Sequence, residues 1–502
     1  MPSEPTHGTA LRPTSNLDAT LHNAQDAQNT AGMMRSTASP ARSPSETASG
    51  YDAPESYLNL SEVQDVSAIQ DRNELSQLDS QSIEELESRL HDIGGEAPQP
   101  SRGTVTGDQR PQGDSPIQSS DDGAAVPPLS RWATEFYTVS YLILFAIFGT
   151  LARLGLQALT FYPGAAIPFS SVWPNFAGTL VIGFLTEDRM LFRYERGNKP
   201  LCNPQPNKNK SDDEDESGSP RAQHATQDPA AAKKAHLAVK KTIPLYIGLA
   251  TGFCGSFTSF SSFIRDIFLA LSNDMPMPDG ASTPRNGGYS FLALLAVLIG
   301  TISLSFSGLH LGAHLAEAWI PIAPSLRYPV SRRFLDPLAV VLAWGSWIGA
   351  IILSIVPPDR YSNPGLSEFW RGRATFALVF APLGCLTRFY VSARLNGRSA
   401  AFPLGTFAVN IAGTAILGLS WDLAHARGVA GVIGCQVLQG IEDGFCGCLT
   451  TVSTWVLELA VLGRRRAYRY GAASVGVALG ILVAVMGGLR WSDGFEALSC
   501  VH

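Results

Sequence analysis

Long runs of apolar residues separated by short polar connections fill the chain from about residue 134 onward. Each run is long enough for a helix to cross a hydrocarbon core of ~30 Å at ~1.5 Å per residue. Lipid offers no partners to backbone N–H and C=O groups, so such segments must be helices. The predicted helices are 134–160, 169–188, 243–271, 289–316, 336–356, 373–394, 403–421, 432–462 and 470–490. The pattern predicts an all-α membrane protein with nine transmembrane helices.

The first 130 residues have a different composition, rich in Ser, Thr, Gln, Asp and Pro with scattered apolar positions. Such a segment buries too little apolar surface to offset the entropy of ordering it. It is therefore predicted to be a disordered tail. The first ten residues, MPSEPTHGTA, lack the basic start and apolar stretch of a signal peptide. The first hydrophobic helix is expected to direct the chain to the membrane.

Basic residues predict which side of the membrane each connection faces. Lys and Arg cluster in the connection 189–242 and in those after the fourth, sixth and eighth helices. The connection after the fifth helix also carries arginines and runs against this pattern. Cytoplasmic connections carry an excess of Lys and Arg. The charge pattern therefore predicts a cytoplasmic N-terminus and an extracellular C-terminus.

The apolar segments contain an internal repeat. Arg153 in the first helix corresponds to Arg388 in the sixth, each four residues after a glycine. Asn175 in the second helix corresponds to Asn410 in the seventh, and each Asn follows its Arg by the same number of residues. An arginine inside an apolar helix is costly, so a matched pair indicates a duplicated unit.

A glycine-rich motif gives the sharpest match between the halves. The stretch GFCGSFTSFSSF at 252–263 corresponds to GFCGCLTTVSTW at 444–455. Its glycines favour a break in the third and eighth helices. One extra helix, 336–356, separates two four-helix repeats, so the second repeat enters the membrane from the opposite side. The predicted regions are a cytoplasmic tail (1–130), a first repeat (131–316) with a cytoplasmic loop (189–242), a linker with one helix (317–372) and a second repeat (373–492).

Together these residues resemble the fluoride channels of microbes and the fungal fluoride export proteins, over about 134–490. The resemblance rests on the glycine-rich stretch leading into Thr-Ser-Phe-Ser-Ser-Phe and on the helical Arg and Asn in both halves. It implies passive fluoride export across the plasma membrane by one fused chain that acts as a pseudo-dimer in the bilayer. It also implies a structural Na⁺ ion at the interface, held by the backbone carbonyls of Gly255, Thr258, Gly447 and Thr450.

Fluoride is small and strongly hydrated, so a pore must replace its water with donors or positive potential. Phe260 and Phe263 lie three apart on one helix face, and an aromatic ring has a positive edge. Their spacing alone is typical of packing, whereas the resemblance places them along the fluoride path. Val452 and Trp455 occupy these positions in the second half. The two pathways are thus not equivalent, and the sequence leaves open how many conduct.

The polar candidates for the fluoride path are Asn175, Asn410, Ser303, Ser307, Thr451, Tyr470, Ser474, Arg153 and Arg388. The amides and hydroxyls either line the path or bond to neighbouring helices and to their own backbone. The two arginines either raise the positive potential of a vestibule or pair with polar groups at a helix interface. The residues alone leave both alternatives open.

Other functions are weighed against the channel. Glu442, Asp443 and Glu458 lie in or beside the second glycine motif, where carboxylates fit a proton-coupled exporter of a small anion. No nucleotide loop, catalytic triad or zinc signature indicates an enzyme, and nucleic acid is not an expected partner. The seven cysteines, most of them in apolar segments, predict neither a disulfide framework nor a zinc site.

Overall fold

The computed structural model describes residues 51–61, 129–188, 190–192, 239–276, 286–322, 324–326, 330–356, 371–399, 401–429, 431–498 and 500. Most of the predicted tail and of the loop 189–242 therefore lies outside the described residues. Within the described ranges the chain is helical, apart from one isolated bridge between Tyr51 and Leu129. The prediction of an all-α membrane protein is confirmed.

All nine predicted segments are helices. They are α1 (Arg131–Thr160), α2 (Val172–Glu187), α3 (Pro244–Ser272), α4 (Gly287–Trp319), α5 (Ser331–Ile355), α6 (Ala374–Arg398), α7 (Leu404–His425), α8 (Val432–Val461) and α9 (Arg464–Ser492). In the described part of the chain, eight are long and apolar enough to cross a membrane. The exception, α2, has 16 residues and spans only about 24 Å.

The predicted breaks in α3 and α8 are present. Helix α3 stops at Phe257 and resumes at Phe260, and α8 stops at Leu449 and resumes at Ser453. Thr258 and Thr450 have extended backbones, with ψ angles of 152° and 151°. π-Helical turns precede both breaks, over Gly248–Cys254 and Ile441–Cys446. The wide turns and extended residues release backbone groups from the helical ladder.

Glycines allow the close helix contacts within each repeat. A Cβ atom at Gly308 or Gly312 of α4 would collide with the backbone of α2, and a Cβ at Gly183 of α2 would collide with Leu309. Small residues four apart let helix backbones approach closely in a membrane. The short helix α2 is therefore held tightly along α4.

A segment of the predicted tail is ordered, which corrects the prediction that residues 1–130 are disordered throughout. Residues 51–61 contain the 3₁₀-helix Glu55–Asn59, and Tyr57 packs edge-to-face on Phe389 of α6 at 5.1 Å. Asn59 Nδ2 donates to the carbonyl of Ala393, 2.9 Å away. Burial and the nearby Glu135 raise the pKa of the Tyr57 hydroxyl, which therefore stays neutral. We call residues 51–61 the docked segment.

A disulfide joins Cys435, near the start of α8, to Cys500 beyond α9. The sequence predicts no disulfide framework, and this bond is a single disulfide that the prediction did not include. The other four cysteines of the described residues, Cys254, Cys385, Cys446 and Cys448, are buried in the membrane helices and are not part of a disulfide. The spacing of 65 residues between the bonded pair carries no recognisable pattern, so the sequence alone does not reveal it.

Candidate ion pathway

The two helix breaks, one from each repeat, meet in the interior. Thr258 Oγ1, at the break in α3, accepts hydrogen bonds from the backbone N–H groups of Val452 (3.2 Å) and Ser453 (3.1 Å). Thr450 Oγ1, at the break in α8, accepts one from Ser261 N–H (3.0 Å). Each threonine therefore caps the helix start of the other repeat. This exchange fastens the two repeats together.

The predicted residues Asn175 and Asn410 bind the broken backbone. Oδ1 of Asn175 accepts from Ser259 N–H at 2.9 Å, and its Nδ2 lies 3.5 Å from the Ser259 carbonyl. Asn410 makes the same pair of contacts with Thr451, at 2.9 and 3.2 Å. Unsatisfied backbone groups at membrane depth cost several kcal/mol. Both amides therefore bond to a neighbouring helix, which is one of the two roles that the sequence left open.

Hydroxyl groups form two buried hydrogen-bonded networks at the breaks, each with members from both repeats. Thr258 Oγ1 lies 3.2 Å from Thr451 Oγ1, and Ser261 Oγ lies 3.0 Å from Thr450 Oγ1. The hydroxyl cluster comprises Thr258, Ser259, Ser261, Ser262, Thr450, Thr451, Ser453 and Thr454, all buried. Each hydroxyl is both a donor and an acceptor. The cluster is thus a source of O–H donors deep in the molecule.

Arg153 ties its own repeat to the other. Its guanidinium donates to the carbonyls of Ser256 (2.6 Å), Gly447 (2.9 Å) and Asp443. The first of these carbonyls belongs to α3 and the other two belong to α8. The side chain is 1% exposed, so its charge is balanced by carbonyl dipoles instead of water. The break in α8 makes such carbonyls available.

Arg388 makes the corresponding contacts from the second repeat. Its Nε donates to the Cys448 carbonyl and its Nη2 to the Thr251 carbonyl, both at 2.8 Å. A Cβ at Gly255 would collide with this guanidinium, which explains the glycine. Both arginines are buried against carbonyls at the interface between the repeats. The structure therefore favours pairing of the arginines with polar groups at a helix interface over a role in raising the potential of a vestibule.

The four carbonyls predicted for Na⁺ fit a cation only in part. Thr258 and Thr450 lie in the breaks, and among the described residues their carbonyls accept no hydrogen bond. Free carbonyl oxygens buried near helix C-termini suit a cation. The Gly447 carbonyl, in contrast, already accepts from Arg153, and Gly255 lies against the second guanidinium. The carbonyls of Thr258 and Thr450 are therefore the members of the predicted set that are not already bonded to an arginine, and the Na⁺ site stays a prediction.

Aromatic rings from both repeats meet beside the hydroxyl cluster. Phe260 and Phe263 are fully buried and contact edge-to-face with ring centroids 5.9 Å apart. Trp455 contacts Phe260 at 5.3 Å, also nearly edge-to-face. Among the described residues, the buried Trp455 Nε1 has no hydrogen-bond partner. The aromatic cluster (Phe260, Phe263, Trp455) thus contains the two phenylalanines predicted for the pathway. It also contains the tryptophan that makes the second repeat differ from the first.

Tyr470 and Ser474 are buried in α9 near a carboxylate. Tyr470 Oη and Thr406 Oγ1 each donate to Glu458, at 2.6 Å. The Tyr470 ring also packs on Phe402 at 5.0 Å. Ser474 Oγ donates to the Tyr470 carbonyl of its own helix, at 2.8 Å. Tyr470 therefore belongs to a polar site around Glu458, whereas Ser474 bonds to its own backbone.

The prediction for Ser303 and Ser307 in α4 is corrected. Both are exposed on the outer surface of the helix. Thr301 and Ser305, on the opposite face, are buried, and their hydroxyls have no partner among the described residues. Helical spacing alone does not show which of two hydroxyl-bearing faces of a helix points inward. The burial pattern therefore places Thr301 and Ser305, and not the predicted pair, on the face of α4 that points into the protein.

Sequence reasoning missed a buried charged group where α3 meets α8. Arg265 lies 3.5 Å from Glu442 and 3.9 Å from Asp266. The Asp266 carboxylate accepts from the backbone N–H of Ser171 at 3.1 Å. The adjacent Arg-Asp pair within the apolar run FIRDIF is the signal that marks this group in the sequence. Glu442 is thus held by an arginine of the first repeat.

Two helix N-termini point at the hydroxyl cluster. The helices Phe260–Ser272 (13 residues) and Ser453–Val461 (9 residues) both begin there, one in each repeat. A helix N-terminus carries a partial positive charge that favours an anion, while the first N–H groups of these two helices are capped by hydroxyls. The interior between the breaks therefore combines positive potential, O–H donors and aromatic edges. This combination is suited to a small anion.

The fold and the central site define a class: an all-α membrane protein whose two four-helix repeats, inverted by a single linker helix, enclose a buried polar centre. The family model for CrcB-like protein, Camphor Resistance (CrcB), matches residues 140–309 and 375–488, one segment in each repeat. The chain belongs to this family.

Named relatives cover most of the chain. It is 53% identical to Fluoride export protein 1 of Neurospora crassa, over 98% of this chain and 90% of that protein. It is 32% identical to Fluoride export protein 1 of Candida albicans, over 70% of this chain and 79% of that protein. The bacterial Fluoride-specific ion channel FluC 1 of Symbiobacterium thermophilum is 41% identical over 118 residues, 22% of this chain and 93% of that protein. No solved structure matches the chain.

Proposed function

We propose that the chain is a passive fluoride channel that exports fluoride from the cytoplasm and confers fluoride resistance. Relatives named fluoride export protein and fluoride-specific ion channel support the ion. The observation that carries the proposal is the convergence of two helix N-termini and eight buried hydroxyl residues beside Phe260 and Phe263. These groups supply the donors that a dehydrating anion requires.

The membrane potential is sufficient to drive export. Fluoride enters acidic surroundings as neutral hydrofluoric acid and dissociates in the near-neutral cytosol, so the anion accumulates there. An inside-negative potential favours outward movement of one negative charge by about 2.3 kcal/mol per 100 mV. A pore that lowers the barrier for the anion therefore needs no coupled ion.

A proton-coupled exporter is the second candidate, and the buried carboxylates favour it. Glu458 accepts hydrogen bonds from Thr406 and Tyr470, and Glu442 lies beside Arg265. Partners that hold a carboxylate in place support a structural role, because a proton carrier must exchange its proton along the path. Asp443 contributes its backbone carbonyl to Arg153. We therefore place the passive channel first.

The proposal includes a structural Na⁺ ion near the carbonyls of Thr258 and Thr450. Bound there, the ion would balance the carbonyl dipoles that the two breaks release. The hydroxyls of the same residues cap the opposite helices, so the backbone around these carbonyls is already arranged. Thermal unfolding in Na⁺ and in K⁺ tests this part. Equal unfolding temperatures in the two salts would contradict it.

We also place the protein in the plasma membrane with its N-terminus in the cytoplasm. Arg464, Arg465 and Arg466 are exposed at the start of α9, which favours a cytoplasmic position. Cys435 and Cys500 form a disulfide at the opposite end of α9, and disulfides persist on the oxidising side of a membrane. The two signals agree on the orientation of α8 and α9. The single fused chain supplies both repeats, so no second copy is needed to complete the site.

The test is fluoride efflux from proteoliposomes that contain the purified chain, driven by a potassium gradient with valinomycin. We expect rapid efflux that is selective for fluoride over chloride and insensitive to a proton gradient. Phe260→Ile is expected to slow efflux about tenfold, because an aromatic edge contact is worth up to about 1.5 kcal/mol and ~1.4 kcal/mol is a factor of ten.

The matched control is Phe268→Ile, which removes another fully buried ring of α3 that lies outside the aromatic cluster and packs on Trp491 at 6.3 Å. Its efflux should stay close to that of the unmodified chain. Efflux only with a proton gradient would favour the coupled exporter. Equal losses in both variants would assign Phe260 to packing.

A further inference from the structure

A large apolar groove lies between α4, α9 and the second half of α8. Its volume is about 830 Å³, within the ~300–1,000 Å³ range of small-molecule sites. Its walls include Leu298, Ile302 and Phe306 of α4, which follow one another at one-turn intervals along a single face. Trp455 lies among its buried lining residues. No acidic residue is among those that line the groove.

The length of the groove is close to the thickness of one membrane leaflet. Along α9 its lining extends from Arg464 to Gly476, which is about 18 Å at ~1.5 Å per residue. One leaflet with its headgroup region is about 20 Å thick. An apolar groove of this length at membrane depth matches the hydrocarbon chain of a lipid.

One end of the groove is strongly basic. Arg464 lines it, and Arg465, Arg466 and Arg469 are exposed on the same turns of α9. Among the described residues, these four arginines have no ion-pair partner. Tyr468, another lining residue, is 80% exposed, as expected of an aromatic side chain at the headgroup level. Four arginines next to a membrane helix are typical of binding to anionic headgroups.

We propose that this groove binds one anionic phospholipid of the leaflet at the arginine-rich end, which the positive-inside rule assigns to the cytoplasm. The acyl chains lie against Leu298, Ile302 and Phe306, and the phosphate and headgroup lie at the four arginines. A lipid chain in the groove contacts Trp455, whose ring contacts Phe260. A bound lipid would therefore contact the aromatic cluster directly, so lipid composition could affect it.

The test measures lipid retention by the full chain with native mass spectrometry. The chain is reconstituted in vesicles of equal phosphatidylcholine and phosphatidylserine and then extracted in mild detergent. We expect about tenfold more bound phosphatidylserine than phosphatidylcholine. The triple variant Arg464→Gln, Arg465→Gln, Arg466→Gln should lose this preference. Arg398→Gln, which removes an exposed arginine of α6, should keep it.

A second pair of variants tests the groove independently of charge. Gly476 lines the groove and has open space around the position of a Cβ atom, so Gly476→Leu should fill the groove without collision. Gly480, one turn further along α9, also has open space but does not line the groove. Gly476→Leu should abolish lipid retention, whereas Gly480→Leu should leave it unchanged. Equal thermal unfolding of the two variants shows that both are folded.

Three results would overturn the proposal. Equal retention of both lipids would identify an unselective contact with bulk lipid. Unchanged phosphatidylserine binding in the triple arginine variant or in Gly476→Leu would place the lipid elsewhere. Two protein copies without bound lipid would indicate that the groove is an interface between chains.

Discussion

Gly447 and Arg153 form one structural unit, as do Gly255 and Arg388. A guanidinium in the membrane interior is costly unless carbonyl groups solvate it. Each arginine reaches carbonyls of the broken helices only because the facing residue lacks a side chain, since a Cβ at Gly255 or Gly447 would collide with the guanidinium. The glycines in the motif are thus needed for close approach of a charge as well as for the helix break.

Replacing either of these glycines should destabilise the protein. Gly255→Ala and Gly447→Ala should each lower the free energy of unfolding by about 1–3 kcal/mol, because they displace the guanidinium from its carbonyls. Thermal unfolding in detergent measures the change. The control, Gly480→Ala, adds a methyl group in open space and should be neutral or slightly stabilising. A loss in the control equal to that in the two variants would contradict this account.

The residue types at the centre could be predicted, but their roles could not. Asn175, Asn410 and Thr451 stand out because polar groups in an apolar run need partners. Whether those partners are an ion or the backbone depends on which segment lies opposite. The structure places the two backbone breaks there, so the amides bond to Ser259 and Thr451.

Among the elements, the docked segment differs most from its prediction, because its sequence predicts disorder and the structure packs it on α6. Its 3₁₀-helix contacts α6 through Tyr57, and Tyr51 Oη donates to Asp336 Oδ2 of α5 at 3.0 Å. Tyr141 Oη of α1 donates to the other carboxylate oxygen, also at 3.0 Å. Asp336 thereby joins the linker helix, the first repeat and the docked segment. The docked segment contributes to the stability of the helix assembly.

Tyr57→Ala should expose the site on α6. Tyr57 is 2% exposed, and truncation of a buried aromatic side chain costs about 3–5 kcal/mol. Hydrogen exchange of α6 and thermal unfolding should both show the loss. The neighbouring Leu58 is 48% exposed, so Leu58→Ala should change stability by no more than about 0.5 kcal/mol. Unchanged exchange in Tyr57→Ala would show that the docked segment does not stabilise α6.

At the scale of the whole molecule, the disulfide fixes the region beyond α9 to the start of α8. Cys435 and Cys500 are separated by 65 residues, and that stretch contains α8 and α9 almost entirely. Both cysteines lie at the end opposite the exposed arginines of α9. In the proposed orientation, this disulfide-bonded end is the extracellular face.

Removing the disulfide should destabilise the protein without disrupting the hydroxyl cluster. Cys500→Ser should lower the free energy of unfolding by about 2–4 kcal/mol. Reduction with dithiothreitol should lower the unfolding temperature of the unmodified chain but not that of the variant. Peptide mapping without reduction should recover Cys435 and Cys500 in one linked species. Free thiols at both positions in protein from intact cells would contradict the bond and the orientation drawn from it.

The sequence by itself determined the nine helices, the duplication and the positions of both breaks, because helix length, apolar runs and glycine chemistry are local properties. Only the tertiary structure decided which polar groups face one another. It shows that the arginines and asparagines bind backbone, that Thr301 and Ser305 replace Ser303 and Ser307 on the buried face, and that a short polar segment docks on α6. The physical reason is that a buried polar group takes its role from its partner, and the partners here come from distant segments of the chain.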